Sequence, residues 1–588
     1  MSSKQQQSTS SKPTFDRVLL VRIFALAQPY KQRFYSAVIL TIAIAFLGPF
    51  RPYLIQYTID HQITEKNLHG ILNMSLLIGG LLLLQTALQW SNTMLSNLIA
   101  QDVVKDLRNT VYEHLTSLKQ KFYDTTPVGT LVTRTISDIE TLADTFAEGL
   151  INISGDILQI IFILILMFIT DWQLTLVSLA VLPLLLYSGY IFKEKVRVSF
   201  EDVRTHVARL NTFVQEHLQG MSLVQIFNRE QKEYEKFEKI NAMHRDANIR
   251  SVFYYSVFFP VVEILSAAAT GLIVWYASLQ IIDYQTTPGV MIAFIMYINL
   301  FFRPIRQVAD RFNTLQMGMV ASNRLFQLLD DKDQIELSGT NHEIDLAAGI
   351  KFSHVWFAYK QDEYVLRDVC FEVNKGQTVA IVGQTGSGKS TIINLVCGFY
   401  PIVKGEIFIG QTPLVDIHLQ TLRSKVGIVL QDVFLFNGSI LDNIILHRQG
   451  IGMDEVVATA KLLGAHDFIS KLPGGYHQQV QERGLTLSVG QRQLISFVRA
   501  MVTNPPLLIL DEATSSIDHD SEEVIQHAIT QMMHNRTSII IAHRLSTIQH
   551  ANTILVMDKG EIAEQGNHAQ LLSMSGIYAR MYQLQRAE

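Results

Sequence analysis

The chain has 588 residues, more than one ordinary hydrophobic core supports, so at least two domains are expected. Hydrophobic residues make up 48% and charged residues 17%, which argues against a wholly soluble protein, and a formal net charge of −5 argues against nucleic acid as the main partner. With only two cysteines, Cys370 and Cys397, reduced thiols are expected and a disulfide framework is not.

Residues 1–14, MSSKQQQSTSSKPT, are polar and low in complexity and read as a disordered tail without the apolar core of a signal peptide. The next segment, FDRVLLVRIFAL, suits either a helix lying on the membrane surface or an extension of the first span. Then come stretches free of Asp, Glu, Lys and Arg: Phe34 to Phe50, Asn67 to Gln101, Leu174 to Phe192, Ile264 to Ile282 and Tyr284 to Phe302. Each is about long enough to cross a hydrocarbon core of ~30 Å as a helix. A sixth, from Ile157 to Thr170, spans if its helix starts near Gly149 and accommodates Asp156. Residues 15–328 are therefore expected to form a membrane α-helical bundle of six helices.

Lys and Arg set its orientation. Lys12, Arg17, Arg22, Lys31 and Arg33 precede span one, Lys105, Arg108, Lys119, Lys121 and Arg134 follow span two, and the Lys193–Arg250 segment is again basic. These segments are expected in the cytoplasm, with the short connections at Asp171 to Gln173 and around Asp283 outside. Apolar residues at helical spacing continue into the cytoplasmic segments and break at Pro127, Gly129 and Gly220, so helices are expected to run past the bilayer and turn back. Glu263 falls in span five, where an intramembrane carboxylate either binds a cationic substrate or pairs with Arg51. Nearby aromatics, from Phe253 to Phe259 and at Phe294, Tyr297 and Phe301, either line a pocket or pack towards lipid, the latter being expected for most.

After a polar linker, 329–348, the periodicity changes, and residues 349–588 read as an α/β P-loop nucleotide-binding domain. TVAIVG is a buried strand, GQTGSGKS a glycine-rich turn, and STIINLVCGF a helix. In this context Gly383, Gln384, Thr385, Gly386, Ser387, Gly388 and Thr391 form a backbone cradle for phosphates. Lys389 supplies charge to the β- and γ-phosphates and Ser390 an oxygen for Mg²⁺. LLIL ends in Asp511 and Glu512, which point to opposite faces of a strand and so divide their tasks: Asp511 towards Mg²⁺, Glu512 towards the attacking water. Gln431 and His543 each end an apolar strand, where ligands of open α/β sheets bind. Tyr359 either stacks on an adenine ring or packs locally. In LTLSVGQRQLISF, Ser488 followed by Gln491 has the form of a helix capping box.

Together these motifs resemble the ATP-binding cassette (ABC) exporters, specifically half-transporters with six spans and one cassette. Within that resemblance GQTGSGKST is similar to the Walker A loop, LLILDE to the Walker B strand, Gln431 to the Q-loop, Ser515 to Asp518 to the D-loop, His543 to the switch histidine and Tyr359 to the A-loop aromatic. LSVGQ resembles the signature motif LSGGQ with Val489 in place of a glycine, and Gln481 to Gly484 keeps part of the exporter X-loop. The resemblance implies a type I exporter fold, ATP and Mg²⁺ as cofactors, and a metal set of Ser390, Gln431 and Asp511. It also implies two cassettes meeting head to tail, with Ser488, Gly490 and Gln491 of one subunit near the nucleotide of the other, where the Val489 methyls would crowd it. An intact Glu512 beside an altered signature favours a heterodimer with a second half-transporter over a homodimer, and LSVGQ is shared with the MdlB-like group of bacterial multidrug-resistance-like subunits. The expected activity is ATP-driven export or flipping of amphiphiles or lipids across the cytoplasmic membrane, with the N-terminus and cassette in the cytoplasm; a gated channel built on the same cassette is the alternative.

Overall fold

The computed structural model describes residues 17–145, 151–335, 339–344, 349–361, 363–511, 519–542 and 548–587. The expected tail 1–14 and part of the expected linker lie outside these. The chain divides into two compact units, Met1–Thr116 with Pro127–Asp331, and Ser117–Thr126 with Lys332–Glu588.

The first unit is helical. In chain order the helices are α1 (Arg17–Ala25), α2 (Lys31–Tyr57), α3 (Leu68–Ser117), α4 (Gln120–Thr125, part of the second unit), α5 (Val128–Thr133), α6 (Ile139–Asp144), α7 (Ile151–Thr170), α8 (Trp172–Leu179), α9 (Leu182–Gln219), α10 (Met221–Ile226), α11 (Glu230–Ile282) and α12 (Pro288–Leu329). Six segments among the described residues are long and apolar enough to cross a membrane: Gln28–Ile63, Leu68–Ser117, Asn152–Thr170, Trp172–Gln219, Glu230–Ile282 and Pro288–Ile305. They coincide with the six expected spans. At ~1.5 Å per residue α3 and α11 are about 75 and 80 Å long, far more than a ~30 Å core requires, so both continue beyond it.

Polar residues fasten the ends of these rods. Asp171 caps the tight turn from α7 into α8, its Oδ1 accepting from Gln173 N at 2.9 Å and Leu174 N at 3.0 Å. Asp60, just past α2, holds the start of α12 by accepting from Thr287 Oγ1 at 2.6 Å and Gly289 N at 2.9 Å. A carboxylate there also complements the positive end of the helix dipole. Helix α1 is separate from α2, divided from it by a turn at Gln28–Tyr30. It packs on the last turns of α12: Arg22 donates to both carboxylate oxygens of Asp330, at 2.7 and 2.8 Å, and lies 4.1 Å from the centre of the Phe326 ring.

The expected aromatic set divides by burial. Phe258, Phe294, Tyr297 and Phe301 are buried in the bundle, and Phe258 stacks on Phe192 with ring centroids 3.9 Å apart, whereas Phe253 and Phe259 are exposed. Inside a bilayer an exposed aromatic meets lipid at no hydrophobic cost, so lipid contact suits the latter pair. Glu263 is exposed on α11, and no hydrogen bond or ion pair joins it to Arg51 among the described residues.

The second unit contains two sheets. β1 (Ile350–Ala358), β2 (Tyr364–Val373), β4 (Lys404–Ile409) and β5 (Thr412–Pro413) make an antiparallel sheet in the order β2-β1-β4-β5. β3 (Thr378–Gly383), β6 (Val426–Val429), β9 (Leu507–Asp511), β10 (Thr537–Ile541), β11 (Thr553–Asp558) and β12 (Glu561–Gly566) form the other, in the order β12-β11-β3-β10-β9-β6, parallel except for edge strand β12. A short ribbon joins β7 (Gly438–Ser439) to β8 (Gln479–Val480). Alternate residues of the central strands enter different cores: Ala380, Leu508, Leu510 and Ile540 face one cluster, and Val379, Ile381, Ile509 and Ile541 the other. Burial on both faces is why TVAIVG and TSIII are continuous apolar runs instead of alternating ones.

Helix α4 is secured within this second unit. Lys119 Nζ lies 3.1 Å from Asp333 Oδ1, Lys119 N donates to Asp333 O at 3.0 Å, and Ile335 N donates to Ser117 O at 2.7 Å. Tyr400 OH donates to Asp124. The cassette therefore carries a helix that the sequence lists among the cytoplasmic extensions of the bundle.

Candidate nucleotide site

Strand β3 runs through the middle of the parallel sheet and delivers its carboxyl end to the loop Gly383–Gly388, after which α13 (Lys389–Val396) begins. Two glycines explain the shape of that loop. Gly388, the N-cap of α13, has φ +102°, and a Cβ there would lie 2.7 Å from Leu366 Cδ2, so both backbone and packing demand glycine. Gly386 has φ +85°, and a Cβ there would meet no protein atom within 4 Å. The space over Gly386 is open, and glycine is required there by conformation rather than by crowding within the chain.

Lys389 is buried, and its Nζ donates to Gly383 O at 2.8 Å and Gln384 O at 2.9 Å. Burial holds its pKa below the ordinary lysine value, and the Asp511 carboxylate at the end of β9 acts in the opposite direction. The ammonium is thus spanned by its own loop and kept near a carboxylate across the sheet. Ser387 is 4% exposed and its Oγ has no hydrogen-bond partner among the described residues. An orphaned buried hydroxyl, an open glycine cradle and a loop-bound ammonium together fit a polyphosphate, which would supply the missing acceptors. Gln384, Thr385 and Ser390 are exposed around the cradle, and Thr391 is buried in the first turn of α13.

Tyr359 is tied to that same helix. Its OH donates to Thr391 Oγ1 at 3.2 Å and accepts from Asn394 Nδ2 at 3.2 Å. Phe357 and Tyr400 meet the ring edge-on, with centroids 4.8 and 5.0 Å away, and the side chain is still 38% exposed. Local packing and an accessible ring coexist, so the two sequence alternatives are compatible.

Gln431 is exposed two residues beyond β6, and Asp511 closes β9. Both are at carboxyl ends of neighbouring parallel strands, and the P-loop follows the carboxyl end of β3 in the same sheet, with β10 between β3 and β9. Glu512, Ser515 to Asp518 and His543 lie outside the described residues.

The signature segment forms α18, which follows α14 (Leu419–Ser424), α15 (Ile440–Ile445), α16 (Met453–Leu462) and α17 (His466–Lys471), and spans Val489–Met501. Ser488 is its N-cap, and the capping box is complete: Ser488 Oγ accepts from Gln491 N at 3.2 Å, and Gln491 Oε1 accepts from Ser488 N at 3.1 Å. Val489 is 42% exposed while Gly490 is buried. Val489 thus presents its methyls outward at the first turn at no cost to the helix.

How α18 is anchored has no counterpart in the sequence motifs. Arg499, in its last turn, donates to Asn443 O at 2.7 Å, Phe434 O at 2.9 Å and Asn443 Oδ1 at 3.2 Å. Asn443 in turn bridges Phe436 N and O at 2.8 and 2.9 Å. Burial lowers the Arg499 pKa to about 10, with Arg448 adding to the effect. Arg492 Nη1 donates to Leu487 O at 2.9 Å and Gly484 O at 3.3 Å, tying the partial X-loop to the first turns of α18. A helix-terminal arginine is an ordinary sequence feature, and its partners 56 and 65 residues away in the chain leave no local signal.

The comparisons agree with this geometry. Residues 34–305 match the ABC transporter transmembrane region, and residues 366–515 match the ABC transporter family model. The chain is 35% identical to the Uncharacterized ABC transporter ATP-binding protein YknV of Bacillus subtilis (strain 168), over 97% of this chain and 95% of that protein. It is 32% identical to the ATP-dependent lipid A-core flippase of Syntrophus aciditrophicus (strain SB), over 96% and 94%. Among solved structures, a bacterial Atm1-family ABC exporter with ATP bound aligns at a TM-score of 0.76 and 27% identity, covering 95% of this chain and 99% of that one. Six apolar helices, a P-loop cassette and full-length similarity converge: the chain belongs to the ABC transporters, as a multi-pass membrane half-transporter of the exporter type that binds ATP and couples its hydrolysis to transport, an organisation that implies a dimer.

Proposed function

We propose that this chain is one subunit of a heterodimeric exporter or flippase for amphiphilic small molecules or lipids in the cytoplasmic membrane, with its N-terminus and cassette in the cytoplasm. The observation that carries the nucleotide half of the proposal is the P-loop itself: an open cradle over Gly386, an orphaned Ser387 hydroxyl and a buried Lys389. Ser390, Gln431 and Asp511 are the residues that would hold Mg²⁺, which neutralises phosphate charge when bound. Glu512 orients or deprotonates the attacking water, His543 contacts the γ-phosphate region, and Tyr359 offers its exposed ring to the adenine. Ser488, Gly490 and Gln491 face the nucleotide of the partner cassette, and the outward Val489 methyls alter that contact.

The Lys and Arg bias of the cytoplasmic segments supports the orientation. The similarity to a lipid A-core flippase supports a lipid or lipid-like substrate. The preference for a heterodimer rests on Val489 beside an intact Glu512. ATPase activity of the purified chain in lipid nanodiscs, with Glu512→Gln as control and the oligomeric mass recorded, tests these assignments. Glu512→Gln is expected to cut turnover by about 10²-fold; near-normal turnover in that variant overturns the catalytic role. Robust activity from a dimer of this chain alone replaces the heterodimer with a homodimer.

A further inference from the structure

Within the membrane bundle a cavity of about 350 Å³ opens between α2, α3, α7 and α12. Its wall is unusual for an intramembrane space because it is polar. Gln85, Gln89 and Asn92 form one stripe of α3 at helical spacing, Gln159 faces them from α7, and Arg51 and Arg303 come from α2 and α12. Neither arginine has a hydrogen bond or ion pair among the described residues, and Arg51 Nε is buried without a partner. Asp156 is also on the wall, but it is engaged in a contact of its own.

A guanidinium carries five donors and stays charged, so inside a bilayer it needs an anion or water to satisfy it. Two such groups with no counter-ion among the described residues, beside four amide side chains that can also donate, make an environment that stabilises negative charge. The volume is within the ~300–1,000 Å³ range of small-ligand sites.

We infer that this cavity binds the anionic head group of the transported amphiphile, a carboxylate, sulfonate or phosphate, with Arg51 and Arg303 as its charge partners. The inference rests on the transport function proposed above and gives its substrate a charge. It also moves the charge-selecting role from Glu263, a candidate for cation binding on sequence grounds, to two arginines of the opposite preference.

The test uses the full chain in nanodiscs of neutral phosphatidylcholine without nucleotide, so it reads binding and is independent of whether ATP drives transport. Three fluorescent probes share one acyl tail and differ only in head group: carboxylate, primary amide and trimethylammonium. The carboxylate is expected to bind about tenfold or more tightly than the amide, and the ammonium most weakly. In the Arg51→Gln, Arg303→Gln double variant the preference should fall below about twofold, and Arg51→Glu with Arg303→Glu should favour the ammonium. Dimer mass and thermal melting check each variant for folding, and the head-group series on the unmodified chain decides the matter even if the variants fail. Equal binding of the three probes, or an anion preference that survives in a folded double-Gln variant, overturns the inference. Displacement of the carboxylate probe by a short-chain phosphatidylglycerol but not by its phosphatidylcholine counterpart would identify a phospholipid phosphate as an accepted head group. Without such displacement, an anion preference that depends on the arginines assigns the site to free anionic amphiphiles.

Discussion

Removing the Ser488 hydroxyl separates a helix cap from a phosphate contact. The capping box around Ser488 and Gln491 satisfies two backbone donors at the start of α18. Ser488→Ala is expected to cost about 1 kcal/mol of cassette stability, the usual worth of an N-cap side chain. For a domain of this size that lowers the melting temperature by roughly 2–4 °C. A native stability of about 5–15 kcal/mol reduced by that amount still leaves well under about 1% of molecules unfolded, so the cap alone cannot change turnover noticeably. If Ser488 also meets the nucleotide of the partner cassette, ATPase activity should fall by about tenfold or more, the effect of one lost charge-assisted contact. Asn567→Ala is the matched control, since Asn567 and Gln570 form the same kind of box at the start of the helix His568–Ser573. Both variants should melt a few degrees lower, and only Ser488→Ala should lose activity. Equal, near-normal ATPase rates in the two would show that Ser488 is a cap and nothing more.

Gly386→Ala and Gly388→Ala both place an alanine in left-handed backbone, at a cost of about 1–2 kcal/mol, but only the second also drives a Cβ into Leu366. Gly386→Ala should therefore melt nearer to the parent while losing ATP affinity, because its methyl fills the open cradle; ATP titration by fluorescence compared with melting curves checks the split. Arg499→Ala should destabilise the cassette by about 3 kcal/mol, measured by chemical denaturation, since it strands carbonyls of Phe434 and Asn443 that the guanidinium now satisfies. Arg499→Lys should recover only part of this, because an ammonium lacks the planar fork. Burial pushes the Cys397 thiol up to about 12, whereas Cys370 is exposed. A raised thiol pKa means that the reactive thiolate is scarce below that pH, so maleimide at pH 8 should label Cys370 alone in the native chain, with Cys397 following only on denaturation; rapid double labelling read by mass spectrometry would contradict the burial.

Much of this molecule is legible locally. A membrane span announces itself because uncharged residues must continue for the full width of a bilayer, and a P-loop because close approach to phosphate removes Cβ atoms at fixed positions. The same holds for the α18 capping box, whose partners are three residues apart. Each of these is a property of a short segment, so the chain by itself determines six helices, a cassette and the start of the signature helix.

What tertiary structure alone decided involves residues that meet across long stretches of chain. Arg51 and Arg303 are unremarkable singly, at the end of one apolar run and beside a proline in another, and only the packing of α2 against α12 puts both on one polar cavity. Glu263, the charge that sequence position makes prominent, lies elsewhere. Arg499 finds its acceptors 56 and 65 residues away, and the helix Gln120–Thr125 is held by Tyr400 of the cassette through Asp124. The physical reason is common to all three: a hydrogen bond or a charge pair is decided by distance in space, and for residues far apart in the chain that distance exists only once the whole core has packed.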